Sequence, residues 1–123
     1  MHVYASDEGE IAGYYTLSAL SLELTGLPGE LQRGRPRLPV PATLLGRLAR
    51  DLRHTRAGLG PYLLSDAMRN AYEASQTVAS AFLVVDSKPN ALDWYLCQAE
   101  FEALPSDPLR LILPISAIAD LLR

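Results

Sequence analysis

The 123-residue chain contains one cysteine, Cys97, and two histidines, His2 and His54. A lone cysteine excludes an internal disulfide and gives no reason to place the chain in an oxidising compartment. Cys97 has no partner at ligand spacing and the histidines lie far apart, so no metal site is expected. No serine–histidine–acid set can be assembled from two histidines, and His54 reads as a loop residue. No apolar run approaches the roughly 20 residues that cross a bilayer. The start, "MHVYASDEGE", lacks the basic flank and apolar stretch of a signal peptide. Repeats and low-complexity tracts are also missing. These absences predict a soluble, cytoplasmic protein without a metal.

What remains is the composition of a packed domain. Hydrophobic residues make up 49% of the chain and charged residues 20%, which excludes disorder. The length predicts a single domain over residues 1–123. Charge is unevenly spread. Arg33, Arg35, Arg37, Arg47, Arg50, Arg53 and Arg56 are opposed only by Asp51, so this segment carries a net +6 and the rest of the chain −9. Such asymmetry suggests a basic face for phosphates or nucleic acid, although arginines also serve merely to solubilise a loop.

Val3 to Ser6 and the run from Ile11, "IAGYYTLSA", flank a Gly-containing turn and predict a hairpin, with Tyr15 and Leu17 on one face. "LTGLPGELQRGRPRLPVP" is rich in proline and glycine and reads as loop. "ATLLGRLARD" resumes as a strand in which Leu44, Gly46 and Leu48 alternate with Leu45, Arg47 and Ala49. Then the period changes. Leu63, Leu64, Ala67, Met68, Ala71 and Tyr72 form one helical stripe, with Ser65, Asp66, Arg69, Asn70 and Glu73 on the other side. "SAFLVVD" suits a strand buried on both faces. "PNALDWYLCQAEF" returns to helical spacing, "LRLILPI" is a last strand, and Ser116 is placed to cap a short final helix. The order β-β-β-α-β-α-β-α predicts a mixed α/β fold.

The stretch "RHTRAGLG" before the long helix invites an anion-binding reading. A helix N-terminus presents unpaired N–H groups and partial positive charge. Gly58 and Gly60 lack Cβ atoms and allow close approach, while Arg53 and Arg56 add charge. A P-loop would need Lys-Ser or Lys-Thr where Pro61-Tyr62 stand, and a dinucleotide fingerprint needs a third glycine. On local grounds a structural turn is at least as well supported as an anion cradle.

In its wider setting the segment resembles the GCN5-related N-acetyltransferases, and among them the toxin branch that acetylates aminoacyl-tRNA. Leu48-Ala49-Arg50-Asp51 matches that branch's strand, Gly58-Leu59-Gly60 its loop, and Leu63-Leu64-Ser65-Asp66-Ala67 its helix. "GYYTLSA" and "DPLRLILPISAIADLL" are similar to its early strand and its C-terminus. The resemblance implies a central, mostly antiparallel sheet with splayed strands flanked by helices. It also implies that the usual N-terminal strand and helices are lacking, and hence a homodimer that covers the exposed edge.

The same resemblance implies acetyl-CoA as co-substrate. Leu48, Ala49 and Arg50 would pair with pantetheine, and the backbone of Arg56, Ala57, Gly58, Leu59 and Gly60 would hold the pyrophosphate, with Arg53 nearby. Tyr95 would protonate the departing thiolate. Aminoacyl-tRNA as acceptor and a ribbon-helix-helix antitoxin as partner are implied in the same way. Thr55 and Arg56 stand where the family carries Gln or Arg and glycine. A gapless register puts Leu96 rather than Tyr95 at the acid position, and a one-residue slip restores Trp94-Tyr95. Two other readings therefore stand beside the toxin. One is a catalytically impaired fold that binds CoA or a protein; the other is an enzyme acetylating a protein or small amine.

Overall fold

The computed structural model describes residues 2–5, 11–35, 38–50 and 59–121. Six strands form one sheet in the order β1-β2-β3-β4-β6-β5. They are β1 His2–Ala5, β2 Ile11–Leu22, β3 Val40–Arg50, β4 Phe82–Asp86, β5 Glu102–Leu104 and β6 Asp107–Pro114. The helices are α1 Gly29–Gln32, α2 Leu59–Ser75, α3 Leu92–Gln98 and α4 Ile115–Leu121. All strand pairs are antiparallel except β3–β4, which α2 connects in a strand–helix–strand unit. The mixed α/β expectation is met.

The sheet divides the core in two because side chains alternate along each strand. On one face Tyr15, Leu45, Leu83, Val85, Leu111 and Leu113 pack with Leu63, Leu64, Ala67, Met68 and Ala71 of α2 and with Ile115 and Ile118 of α4. These five α2 residues belong to the predicted stripe. On the other face Leu22, Val40, Ala42, Phe82, Val84 and Ile112 pack with Leu27. β4 contributes to both clusters, which explains its unbroken apolar run.

Several elements differ from expectation. The Pro/Gly-rich loop folds into a 3-10 turn over Leu24–Gly26 followed by the single turn α1. β5 forms a tight hairpin with β6 and is too short to show a period. Helix α4 starts at Ile115, so Ser116 lies inside its first turn instead of capping it.

A bulge also corrects the alternation on β3. Leu17 pairs with Leu45 but Thr16 pairs with Arg47, leaving Gly46 as the extra residue. Leu48 therefore sits opposite Tyr15 while Leu44 sits opposite Ser18, so Leu44 and Leu48 do not share a face. A Cβ on Gly46 would lie 2.7 Å from Thr16 Oγ1, a closeness that only glycine accommodates without a shift.

Candidate functional site

The sheet opens between its two parallel strands. β3 pairs with β4 only from Ala42 to Leu45, against Phe82 to Val85. Beyond that point β3 continues against β2, out to Arg50 opposite Gly13. β4 ends beside β6, with Asp86 opposite Arg110, and the Ser87 N–H donates to the Leu109 carbonyl at 2.8 Å. The two strands therefore follow different neighbours from Leu45 and Val85 onward. Among the described residues no strand takes up the β4-side edge of β3 from Gly46 to Arg50. An extended ligand with amide groups can pair with such an edge as a further strand would.

Two helices converge on this opening. α2 returns antiparallel to β3, so its N-terminus lies at the carboxyl end of the strand. Gly60 and Pro61 occupy the first turn, where proline loses no intrahelical hydrogen bond. α3 follows the carboxyl end of β4 through a 3-10 turn over Pro89–Ala91. Its Tyr95 is 9% exposed and belongs to the same buried cluster as Leu45 and Val85, the last paired residues before the opening. The Tyr95 ring meets Trp94 and Phe101 edge to face, with centroids 5.0 and 6.1 Å apart. Burial pushes its phenol above the usual tyrosine range, so the group holds its proton at neutral pH. Leu96, its rival in the sequence, is 43% exposed. At the rim, Arg110 grips Asp86 with two hydrogen bonds of 2.7 and 2.9 Å. That hydrogen-bonded contact raises the guanidinium pKa still further.

Of the residues singled out in the sequence, Leu48, Ala49 and Arg50 form the end of β3, and Leu59 and Gly60 begin α2. Arg53, Thr55, Arg56, Ala57 and Gly58 lie outside the described residues. The arginines that cluster in sequence are divided in space. Arg33 and Arg35 precede β3 whereas Arg47 and Arg50 end it. At about 3.3 Å per residue, the strand sets its two ends roughly 33 Å apart. Arg35 is committed to the fold. Its Nε donates to the Leu31 carbonyl at 2.8 Å, and its guanidinium lies 4.9 Å from the centre of the buried Phe82 ring. Two hollows, of about 470 and 210 Å³, lie at the end of the sheet away from the opening. No group of three or more potential metal ligands occurs among the described residues. No described helix is long and apolar enough to cross a membrane.

One polar cluster lies elsewhere than its residue types suggest. Asp66 and Asn70, assigned to the outer side of α2, turn to the wholly buried Tyr15 of β2. The Tyr15 hydroxyl donates to Asp66 Oδ2, and Asn70 Nδ2 donates to the Tyr15 oxygen and, at 3.1 Å, to Asp66 Oδ2. The available signal was the four-residue spacing of the pair beside the apolar stripe.

No protein-family model matches the chain. It is 33% identical over 106 residues to a tRNA-acetylating toxin of Mycobacterium tuberculosis, a match covering 86% of this chain and 63% of that toxin. A tyrosine-to-phenylalanine mutant of KacT has the same fold with a TM-score of 0.85 and 30% identity, over 97% of this chain and 71% of KacT. The chain belongs to the GCN5-related tRNA-acetylating toxin family. AtaT complexed with acetyl-methionyl-tRNAfMet aligns with a TM-score of 0.84 and 29% identity, covering 96% of this chain and 71% of AtaT. A mutant AtaT has also been solved with the C-terminus of its antitoxin AtaR and acetyl-CoA. The chain thus spans just under two thirds of the mycobacterial member of the family.

Proposed function

We propose that this chain is an acetyl-CoA-dependent N-acetyltransferase that acetylates the amino group of aminoacyl-tRNA and thereby blocks translation. The observation that carries the reading is the opening between β3 and β4, with the α2 N-terminus and Tyr95 beside it. The free edge of β3 over Leu48, Ala49 and Arg50 supplies amides for the pantetheine arm. The first N–H groups of α2, at Leu59 and Gly60, would hold the pyrophosphate together with Arg53, Arg56, Ala57 and Gly58, which precede the helix in sequence. Helix N-termini favour such anions through orphan N–H groups and the helix dipole.

The chemistry is a direct transfer. A neutral amine attacks the thioester carbonyl, the C–N bond forms, and the C–S bond breaks with its electron pair on sulfur. Tyr95 gives the sulfur a proton as it leaves, and the nitrogen loses one to solvent. A buried phenol is present as the neutral donor across the neutral pH range. The acetyl-methionyl-tRNAfMet and antitoxin found with AtaT support an aminoacyl-tRNA acceptor and an antitoxin partner here.

Calorimetric titration of the chain with CoA tests the site, and binding is the expected result. Absence of binding would remove the enzyme reading. Tyr95→Phe is then expected to keep CoA affinity and slow transfer to aminoacyl-tRNA by on the order of 100-fold, the lower range of general acid catalysis. An unchanged rate would clear Tyr95 of the acid role.

A further inference from the structure

The contact between α2 and the sheet is mostly apolar, through Leu63, Leu64, Ala67, Met68 and Ala71. Asp66, Asn70 and Tyr15 interrupt it with three hydrogen bonds. Packing of apolar side chains has little directional preference. A helix held by such contacts alone is poorly fixed along and about its axis. Hydrogen bonds weaken steeply away from their preferred angle, so they select one position. Asp66 and Asn70 are only half-buried, and hydrogen bonds whose partners can also reach water add little net stability. The network is therefore better explained by geometry than by stability.

Its location gives that geometry a use. Tyr15 is the register partner of Leu48 on the free edge of β3. Asp66 lies seven residues into α2, which at 1.5 Å per residue is about 10 Å from the first residue of the helix. The network thus couples the first half of α2 to the strand position directly beside the opening. Tyr15 is fully excluded from solvent, and its hydroxyl bonds to Asp66 and Asn70 of α2.

We propose that Tyr15, Asp66 and Asn70 are positioning residues that set the first turn of α2 relative to the β3 edge. They thereby fix the spacing between the pyrophosphate and pantetheine subsites. The inference rests on the acetyl-CoA reading of the opening. It predicts a selective defect. A ligand that spans both subsites depends on their spacing, whereas one that occupies the strand edge alone does not.

The test compares CoA with pantetheine, which lacks the pyrophosphate, by titration and displacement calorimetry on Tyr15→Phe and Asp66→Asn chains. Both substitutions keep side-chain volume, and thermal melts identify which variants fold. Weakening of CoA by roughly tenfold is expected, the scale of one lost hydrogen bond to a charged group. Pantetheine affinity should stay within about twofold, a change below the worth of any one hydrogen bond. Should Tyr15→Phe not fold, Asp66→Asn carries the comparison. Equal losses for both ligands, or unchanged CoA affinity in a folded variant, would overturn the positioning role while leaving the acetyl-CoA site intact. Failure of the unsubstituted chain to bind CoA would overturn the site itself.

Discussion

Burial is what shifts Tyr95, and it leaves a signature separate from catalysis. The charged phenolate is disfavoured in the folded chain, so folding holds the proton above the ordinary tyrosine pKa of about 10. Below that value the phenol is neutral in both states and contributes no pH dependence. Above it the unfolded chain releases the proton first, so stability falls as pH rises through the folded pKa. Thermal melts from pH 8 to 11 should show this decline, and Tyr95→Phe should flatten part of it. Identical slopes would place the phenol in contact with water. At this scale the sequence leaves Tyr95 and Leu96 as alternatives, and the structure adds that Tyr95 is the buried one of the two. Helical spacing could not separate Tyr95 from Leu96, because 100° of rotation per residue needs a fixed helix start and a core to face. Asp66 and Asn70 were misassigned for a related reason. Polarity alone sends a residue to solvent, and only the tertiary partner Tyr15 reverses that.

Strands and helices were more readily legible than their irregularities. The α2 stripe and the apolar run of β4 reflect burial, and burial is written in residue type. The bulge at Gly46 is not, since glycine occurs in strands and turns alike. Yet the bulge decides which β3 residues share the Tyr15 face on the approach to the opening. Gly46→Ala should destabilise the chain by about 1–3 kcal/mol, because the new methyl meets Thr16 Oγ1. Thr16→Ala in the same chain should recover part of that loss, giving a coupling of at least about 0.5 kcal/mol in a double-mutant cycle. Urea unfolding measures both. Additive losses would mean that the strand, and not Thr16, opposes the side chain. The hairpin strand β5 and the single turn α1 escaped detection because three or four residues cannot display a period.

For the whole molecule, the distribution of positive charge matters more than its total. Seven arginines within 24 residues read as one basic face, but β3 runs through that segment and sets Arg33 and Arg35 before its start and Arg47 and Arg50 at its end. Sequence proximity fails here because an extended strand is the longest path a given number of residues can take. Arg47 and Arg50 belong to the part of β3 that borders the opening, while Arg35, before the strand, is engaged with Leu31 and Phe82. The two groups should therefore fail differently. Arg35→Gln is expected to lower stability by about 1–2 kcal/mol through loss of a hydrogen bond and a cation–π contact. It should leave the salt dependence of the proposed aminoacyl-tRNA binding unchanged. Arg50→Gln should act on binding instead: the slope of log affinity against log salt should fall by roughly one phosphate contact. Filter binding at several salt concentrations, paired with urea unfolding, reads both quantities. A reduced slope in a stable Arg35→Gln chain would return Arg35 to the nucleic-acid surface and rejoin the two halves into one basic face.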